Sequence, residues 1–279
     1  MTKPSSTSRS NTLNRDELPV FDNPPIVETV LSVQFQRLAA IQSVHLGSFW
    51  QRVRDRFPKT EDHSPLPLVV EQAVPTPASF QFRLETEPLS PRRLWLVNAS
   101  RTEMIQIQSD RFVKNWRKNN DSELYPRYEA VIKPAFERDY QIFCNFLREE
   151  SLGEIVLNQC EVTYVNHIIS GEGWESWSEA GKIFSFWTQS QNMANQLEDL
   201  SLQARFPILG ANKEWLGRLY LDIQPALRTS DGKPMYVMQL TARGMLGAGL
   251  EFLDIGRQSV VKSFDQFTTP HMHKIWQKR

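Results

Sequence analysis

Read by hydrophobic period, the chain runs strand, helix, three strands, helix, and then runs through that order again. In the first pass Val27, Val30, Leu31, Val33 and Phe35 form a strand that loses strict alternation at Val30–Leu31. Ile41, Val44, His45, Phe49, Trp50, Val53 and Phe57 follow at helical spacing, and Pro58 ends that helix. Five prolines between residues 58 and 78 predict a long irregular connection. Three strands are predicted at Phe80–Glu85, Leu94–Asn98 and Met104–Gln108, the last running on towards Trp116. A long helix from Tyr125 to Glu150 places Tyr128, Ile132, Phe136, Tyr140, Phe143 and Leu147 on one stripe, and Pro134 inside it predicts a kink or a restart.

Gly153 closes that helix and the second pass begins. Cys160 to Ile169 reads as a strand, followed by a glycine-rich turn and a helix holding Ile183, Phe184, Phe186 and Trp187. Strands are predicted at Leu202–Ile208, Leu216–Ile223 and Met235–Thr241, then a helix from about Leu250 to Phe267. Two echoes support a duplication: G-S-F-W at 47–50 with F-S-F-W at 184–187, and R-L-W-L at 93–96 with R-L-Y-L at 218–221. The expectation is an α+β fold with a first half at 21–153 and a second at 154–279, packed as one unit behind a disordered polar tail at 1–20. The two halves would share a mostly antiparallel sheet with helices on one face, leaving the other as a concave binding surface. TATA-binding protein and the GyrI-like ligand-binding regulators are duplicated units of this general kind, an analogy of architecture that transfers no function.

Composition narrows the class of partner. Lys plus Arg and Asp plus Glu number 32 each, so the formal charge is zero, which argues against non-specific nucleic-acid binding over the whole surface. The two cysteines, Cys144 and Cys160, make no disulfide framework or metal cluster and read as reduced core residues of a cytosolic protein. With no stretch of about 18 apolar residues and no apolar leader, a cytoplasmic protein with no membrane association is expected.

The densest set of gripping groups lies at 110–118, where Asp110, Arg111, Lys114, Asn115, Trp116, Arg117 and Lys118 crowd into the end of a strand. Arginine supplies bidentate donors and tryptophan a stacking plate, so a phosphate, carboxylate or nucleic-acid site fits. The competing reading is a network within the sheet, with Asp110 paired to Arg111 or Arg243 and Trp116 packed under the long helix. Arg111 and Arg243 each mark a third strand and form a candidate pseudo-symmetric pair. On the strand at 160–169, Glu161 and His167 share one face, Tyr164 and Asn166 the other. His271 and His273 offer a chelating pair without a third metal ligand, beside Met272 and Trp276, which read as a docking tail. The loop G-M-L-G-A-G at 244–249 could present N–H groups to an anion, or serve as a flexible turn.

Enzyme signatures (G-x-S-x-G, a P-loop, G-x-G-x-x-G, H-E-x-x-H, C-x-x-C) are absent, so no activity and no cofactor or metal is assigned. N-P-P-I-V-E-T-V-L-S-V-Q-F, D-R-F-V-K-N-W-R-K, Y-P-R-Y, C-E-V-T-Y-V-N-H-I, L-T-A-R-G and T-T-P-H-M-H-K-I-W, taken in order, resemble a bacterial family described only as sporadically distributed. The resemblance covers about residues 21 to 276 and implies a bacterial, cytoplasmic protein with no established activity. Its patchy distribution associates it with mobile defence or toxin–antitoxin-type gene clusters. The sequence therefore points to a non-enzymatic binding or regulatory protein that recognises a protein partner or small ligand through Arg111, Lys114, Asn115, Trp116, Arg117 and Arg243. The alternatives are nucleic-acid binding through the 110–118 segment, and an unrecognised enzyme using Glu161, His167 and Arg243.

Overall fold

Each half contributes its first strand to the middle of a sheet. Strand β1 (Ile26–Phe35) and strand β6 (Leu157–Ile169) pair antiparallel from Glu28↔Val165 to Gln34↔Gln159. Outward from β1 lie β5 (Arg111–Arg117), β4 (Glu103–Gln108), β3 (Arg93–Val97) and β2 (Lys59–His63). Outward from β6 lie β9 (Pro234–Gly244), β8 (Trp215–Leu227) and β7 (Leu202–Leu209), making, among the described residues, one nine-stranded sheet with every neighbouring pair antiparallel. The structure, a computed structural model, describes residues 18–74, 92–188, 195–245 and 249–279. The predicted strand at Phe80–Glu85 and all but the last three residues of the predicted tail lie outside them.

The α+β expectation holds. From the centre, both halves add their last strand first and then step outwards to earlier ones, so by strand order alone β5 takes the place of β9, β4 that of β8 and β3 that of β7. The local echoes do not follow that correspondence. R-L-W-L lies in β3, fourth from the centre, whereas R-L-Y-L lies in β8, third from it. G-S-F-W lies inside helix α1 (Ser43–Val53), whereas F-S-F-W follows a four-residue helix α3 (Ala180–Ile183) preceded by a single 3₁₀ turn. The helix expected through Trp187 therefore stops at Ile183, because Phe184 turns away to bridge Thr268 as an extended residue. Strand β2 was hidden in the proline-rich connection; K-T-E-D-H has no apolar alternation because it is a charged edge strand.

Alternation decides which face each residue takes. Leu31, Val33 and Phe35 of β1, Phe112 of β5, Val162 of β6 and Leu240 and Ala242 of β9 are all fully buried beneath the helices. On one half, Phe143 of α2 (Lys133–Glu149) meets Phe35, Phe49 and Phe112 at ring separations of 5.3–6.1 Å. On the other, α4 (Phe252–Phe267) approaches β6 and β9 so closely at Gly256 that a Cβ there would stand 3.2 Å from Val162 and 3.3 Å from Ala242. The restart expected near Pro134 is real: a π-helical turn at Tyr128–Ile132 passes into α2, with Pro134 in its first turn where a missing N–H costs nothing. Helix α5 (Pro270–Ile275) docks Met272 and Trp276, which are 0% and 2% exposed. Among the described residues no helix is long and apolar enough to cross a membrane.

Candidate functional site

Residues 103–118 form a hairpin rather than the single long strand expected: β4 and β5 turn at Ser109-Asp110 and pair from Gln108↔Arg111 to Glu103↔Trp116. Alternation within β5 sends Phe112, Lys114 and Trp116 to the helix side and Arg111, Val113 and Asn115 to the other. Lys114 is 4% exposed and donates to Asp139 of α2 at 2.8 Å and to Glu103 at 2.7 Å. Trp116 packs edge-on to Tyr125 with centroids 5.9 Å apart. Asn115 is buried between Glu28 and the Gln106 amide, at 2.6 and 2.8 Å. Burial comes first in raising the Glu28 carboxyl above its ordinary value. Arg117 donates to the Arg101 carbonyl at 2.9 Å, and Asp110 accepts from Gln108 rather than from an arginine. Of the six candidates from the sequence, Lys114, Asn115 and Trp116 are thus spent inside the fold.

Arg111 and Arg243 are close to one another, but not as a symmetric pair. A two-fold axis relating antiparallel β1 to β6 would carry Arg111 to the far end of β9. Both instead lie at the same end of the sheet, because the end of β1 stands beside the start of β6: Arg111 pairs in register with Gln34 and Arg243 with Glu161. They belong to a polar face crossed by an extended segment of the chain's own residues 64–74. Register aligns Gln108, Arg111, Gln34 and Gln159 in one row across β4, β5, β1 and β6. Gln108 accepts from Leu66 N–H at 2.9 Å and donates to its carbonyl at 3.0 Å. Arg111 donates to Pro67 O at 3.1 Å, Gln34 and Gln159 both donate to Val69 O, and Gln159 accepts from Glu71 N–H at 3.0 Å.

The crossing ends in a carboxylate site. Glu71, with a side chain 4% exposed, accepts from Arg218 Nη1 at 2.7 Å and from the Tyr220 hydroxyl, with Arg243 4.0 Å away. Arg218 also donates to Gln72 O at 3.0 Å. By contrast Leu68, Val69 and Val70 are 41–55% exposed, so apolar burial contributes little to holding the segment. Its attachment is mostly hydrogen bonds, each worth about 0.5–1.5 kcal/mol net.

A second site lies on the opposite side of the sheet, between the two halves' helices. A cavity of about 270 Å³ is lined by Pro24, Ile26, Tyr125, Tyr128, Tyr164, Asn166, Leu240, Arg257, Val260 and Phe264 among others. The Tyr125 and Tyr164 hydroxyls hydrogen-bond each other at 2.8 Å. Burial, above all, holds Tyr125, Tyr128 and Tyr164 well above the usual tyrosine range, so all three stay neutral. The Arg257 guanidinium stacks over the Tyr128 ring at 5.0 Å and its Nη1 lies 3.7 Å from Glu129 Oε1, while its buried Nε has no hydrogen-bond partner among the described residues. Two backbone irregularities fall at its wall: the π-helical turn and Arg127 at φ 62°. Arg127 in turn donates to Phe21 O at 2.7 Å, fixing the N-terminal segment over the cavity.

The remaining candidates separate. Glu161 and Arg243 form an ion pair, but His167 lies six residues further along β6, roughly 20 Å away in a strand, so the proposed trio does not assemble. His271 is 2.8 Å from Gly173 O and His273 2.8 Å from Thr268 Oγ1, and among the described residues no three potential metal ligands cluster. Of 244–249, Gly244 ends β9 directly beneath the Phe252 ring and residues 246–248 lie outside the described set. Sequence reasoning missed Tyr125, Arg257 and Glu71. Tyr125 and Tyr128 stood in Y-P-R-Y and Tyr164 and Asn166 in C-E-V-T-Y-V-N-H, and those motifs meet at this cavity. Comparison with protein-family models, curated proteins and solved structures finds no match, so the function is argued from the chain's own residues.

Proposed function

We propose that this is a non-enzymatic binding or regulatory protein that takes a small, mostly apolar ligand with one acceptor or anionic group in the cavity between the two halves. The observation that carries this reading is the pairing of an apolar lining with the unsatisfied Arg257 Nε and the Tyr125–Tyr164 hydroxyl pair. A volume of about 270 Å³ is close to the lower end of ligand pockets, roughly 300–1,000 Å³, and favours a small molecule. One hydroxyl proton bridges Tyr125 and Tyr164, leaving the other to donate to an acceptor without adding negative charge, and Arg257, which Glu129 meets only at 3.7 Å, offers its guanidinium to an anion. Since elements of both halves line the cavity, occupancy would couple their packing, which is what a ligand-responsive regulator requires. The resemblance to a sporadic bacterial family suits an accessory role in a mobile gene cluster.

The test is native mass spectrometry of the protein isolated from bacteria, followed by thermal-shift screening of small aromatic and aliphatic carboxylates. A bound species or stabilising carboxylate should be lost in Arg257→Met and weakened in Tyr164→Phe, with both variants still melting cooperatively. Ligand binding that is indifferent to both substitutions would remove the cavity from consideration.

A further inference from the structure

The segment at 64–74 meets the sheet in a way that a structural crossing does not require. From Leu66 to Gln72 it passes β4, β5, β1, β6 and reaches β8 across β9, five strand spacings or roughly 24 Å, which these seven residues span only when nearly fully extended. Its backbone is read by side chains: Gln108 engages both the N–H and the C=O of Leu66, and Gln159 engages Glu71 N–H and Val69 O. An amide that accepts from one main-chain N–H and donates to the same residue's carbonyl matches a polypeptide, and has no counterpart in a nucleic-acid backbone. The one side chain that the face takes in deeply is the Glu71 carboxylate, held by Arg218, Tyr220 and Arg243. Glu161 partly neutralises Arg243, so the site suits a single carboxylate better than a phosphate. The apolar side chains Leu68, Val69 and Val70 remain half in water. An occupant held by its backbone and one acid, with its apolar groups exposed, is one that another extended chain can replace.

We propose that the polar sheet face is a binding site for an extended acidic peptide segment of a partner protein, and that residues 64–74 are its internal occupant, with Glu71 standing where the partner's carboxylate would sit. The row Gln108, Arg111, Gln34 and Gln159 aligns the peptide backbone, and Arg218 with Tyr220 selects an acidic side chain. Displacement frees Leu68, Val69 and Val70 with the segment. This site is on the opposite side of the sheet from the cavity, and neither reading depends on the other.

The probe is a fluorescent synthetic peptide of residues 64–74, S-P-L-P-L-V-V-E-Q-A-V, titrated in trans into the full chain. Glu71→Ala, which loosens the internal occupant, should bind it at least tenfold more tightly than the unaltered protein. Adding Arg218→Gln should abolish that gain, and the peptide with Gln in place of its Glu should bind at least tenfold more weakly. Leu66→Pro, which removes the N–H accepted by Gln108 and leaves the carboxylate site whole, serves as a second opened variant, and thermal melts establish that each variant is folded. No binding by either folded opened variant, binding unaffected by Arg218→Gln, or an oligonucleotide competing as well as the acidic peptide would each overturn the proposal.

Discussion

Lys114 Nζ lies 2.8 Å from Asp139 Oδ2, with the two side chains 4% and 0% exposed. Asp139 also accepts from Arg56 at 2.7 Å and Arg138 at 3.1 Å, so one carboxylate of α2 serves three cations. Removing one partner of a buried pair leaves an uncompensated charge, at a cost of about 3–5 kcal/mol. Asp139→Asn should lose stability on that scale in urea unfolding. Lys114→Met should lose less, since Asp139 keeps two arginines and Met fills the space beside Phe57. An unchanged midpoint for Asp139→Asn would refute the assignment.

The same pair makes a pH prediction, and Glu28 makes the opposite one. Burial pushes the Asp139 carboxyl up, but Lys114, Arg56 and Arg138 together outweigh it and leave it below the usual 3.8. A depressed folded value means stability present above pH 3.8 and lost as the pH falls through the lower folded value, a loss that Asp139→Asn should not show. Glu28 is raised above 4.5, first by burial, so its favourable contribution exists below pH 4.5 and fades as the pH rises through the raised value. Glu28→Gln retains an acceptor for Asn115 and should melt at an equal or higher temperature at pH 7. Melting curves across pH for the two variants and the parent decide both points.

Every one of the six tyrosines is held above its ordinary value of 10.0, in each case first by burial, and Tyr236 reaches about 12. Raised folded values give stability that is complete below pH 10 and disappears as the pH climbs towards those values. Tyrosinate absorbance should therefore stay flat through the ordinary range around pH 10 and appear only together with loss of the circular dichroism signal. A smooth titration near pH 10 in folded protein would show that the ring hydroxyls are open to water.

Cys160 is pushed up to about 12, first by burial and then by Glu251, and Cys144 is raised, first by burial. The thiolate is the reactive form, so both should resist iodoacetamide at mildly alkaline pH in the folded protein and react promptly in urea. Mass spectrometry of the alkylated protein counts the modified thiols. Rapid native labelling of Cys160 would contradict its placement against the α4 end of the sheet.

Gly217 of β8 and Gly244 of β9 pair across the ladder under the Phe252 ring. A Cβ on Gly217 would stand 2.2 Å from Arg243 O, and one on Gly244 2.1 Å from Leu216 O and 2.5 Å from Phe252. Since backbone must move to admit either, Gly217→Ala and Gly244→Ala should each cost about 1–3 kcal/mol or more, read by urea denaturation. Gly47→Ala on the exposed side of α1, where nothing lies within 4 Å, should stabilise slightly and serves as the control.

The opening of the cavity-lining strand illustrates how much was legible locally. Alternation alone puts Tyr164 and Asn166 on one face and Glu161 on the other, and the structure agrees because backbone geometry enforces a period of two. The restart at Pro134 was legible for the same local reason: a ring without an N–H belongs in a first helical turn. The 110–118 segment misled because density of charge along the chain says nothing of which charges meet counter-charges from elsewhere. Asp139 lies 25 residues from Lys114, and Glu71 lies 147 from Arg218.

Hydrophobic period, proline and glycine determined from the sequence the α+β class, the order of most elements and the side of the sheet that each strand residue faces. Only the tertiary structure decided that 103–118 is a hairpin, that Arg111 and Arg243 share one end of the sheet, and that Glu71 is the acid that Arg218, Tyr220 and Arg243 surround. It also decided that Y-P-R-Y and C-E-V-T-Y-V-N-H meet around one cavity. The first set follows from dihedral preferences and periodicity acting over a few residues. The second depends on which distant segments satisfy one another's hydrogen bonds and charges, and only the folded pairing of strands sets that.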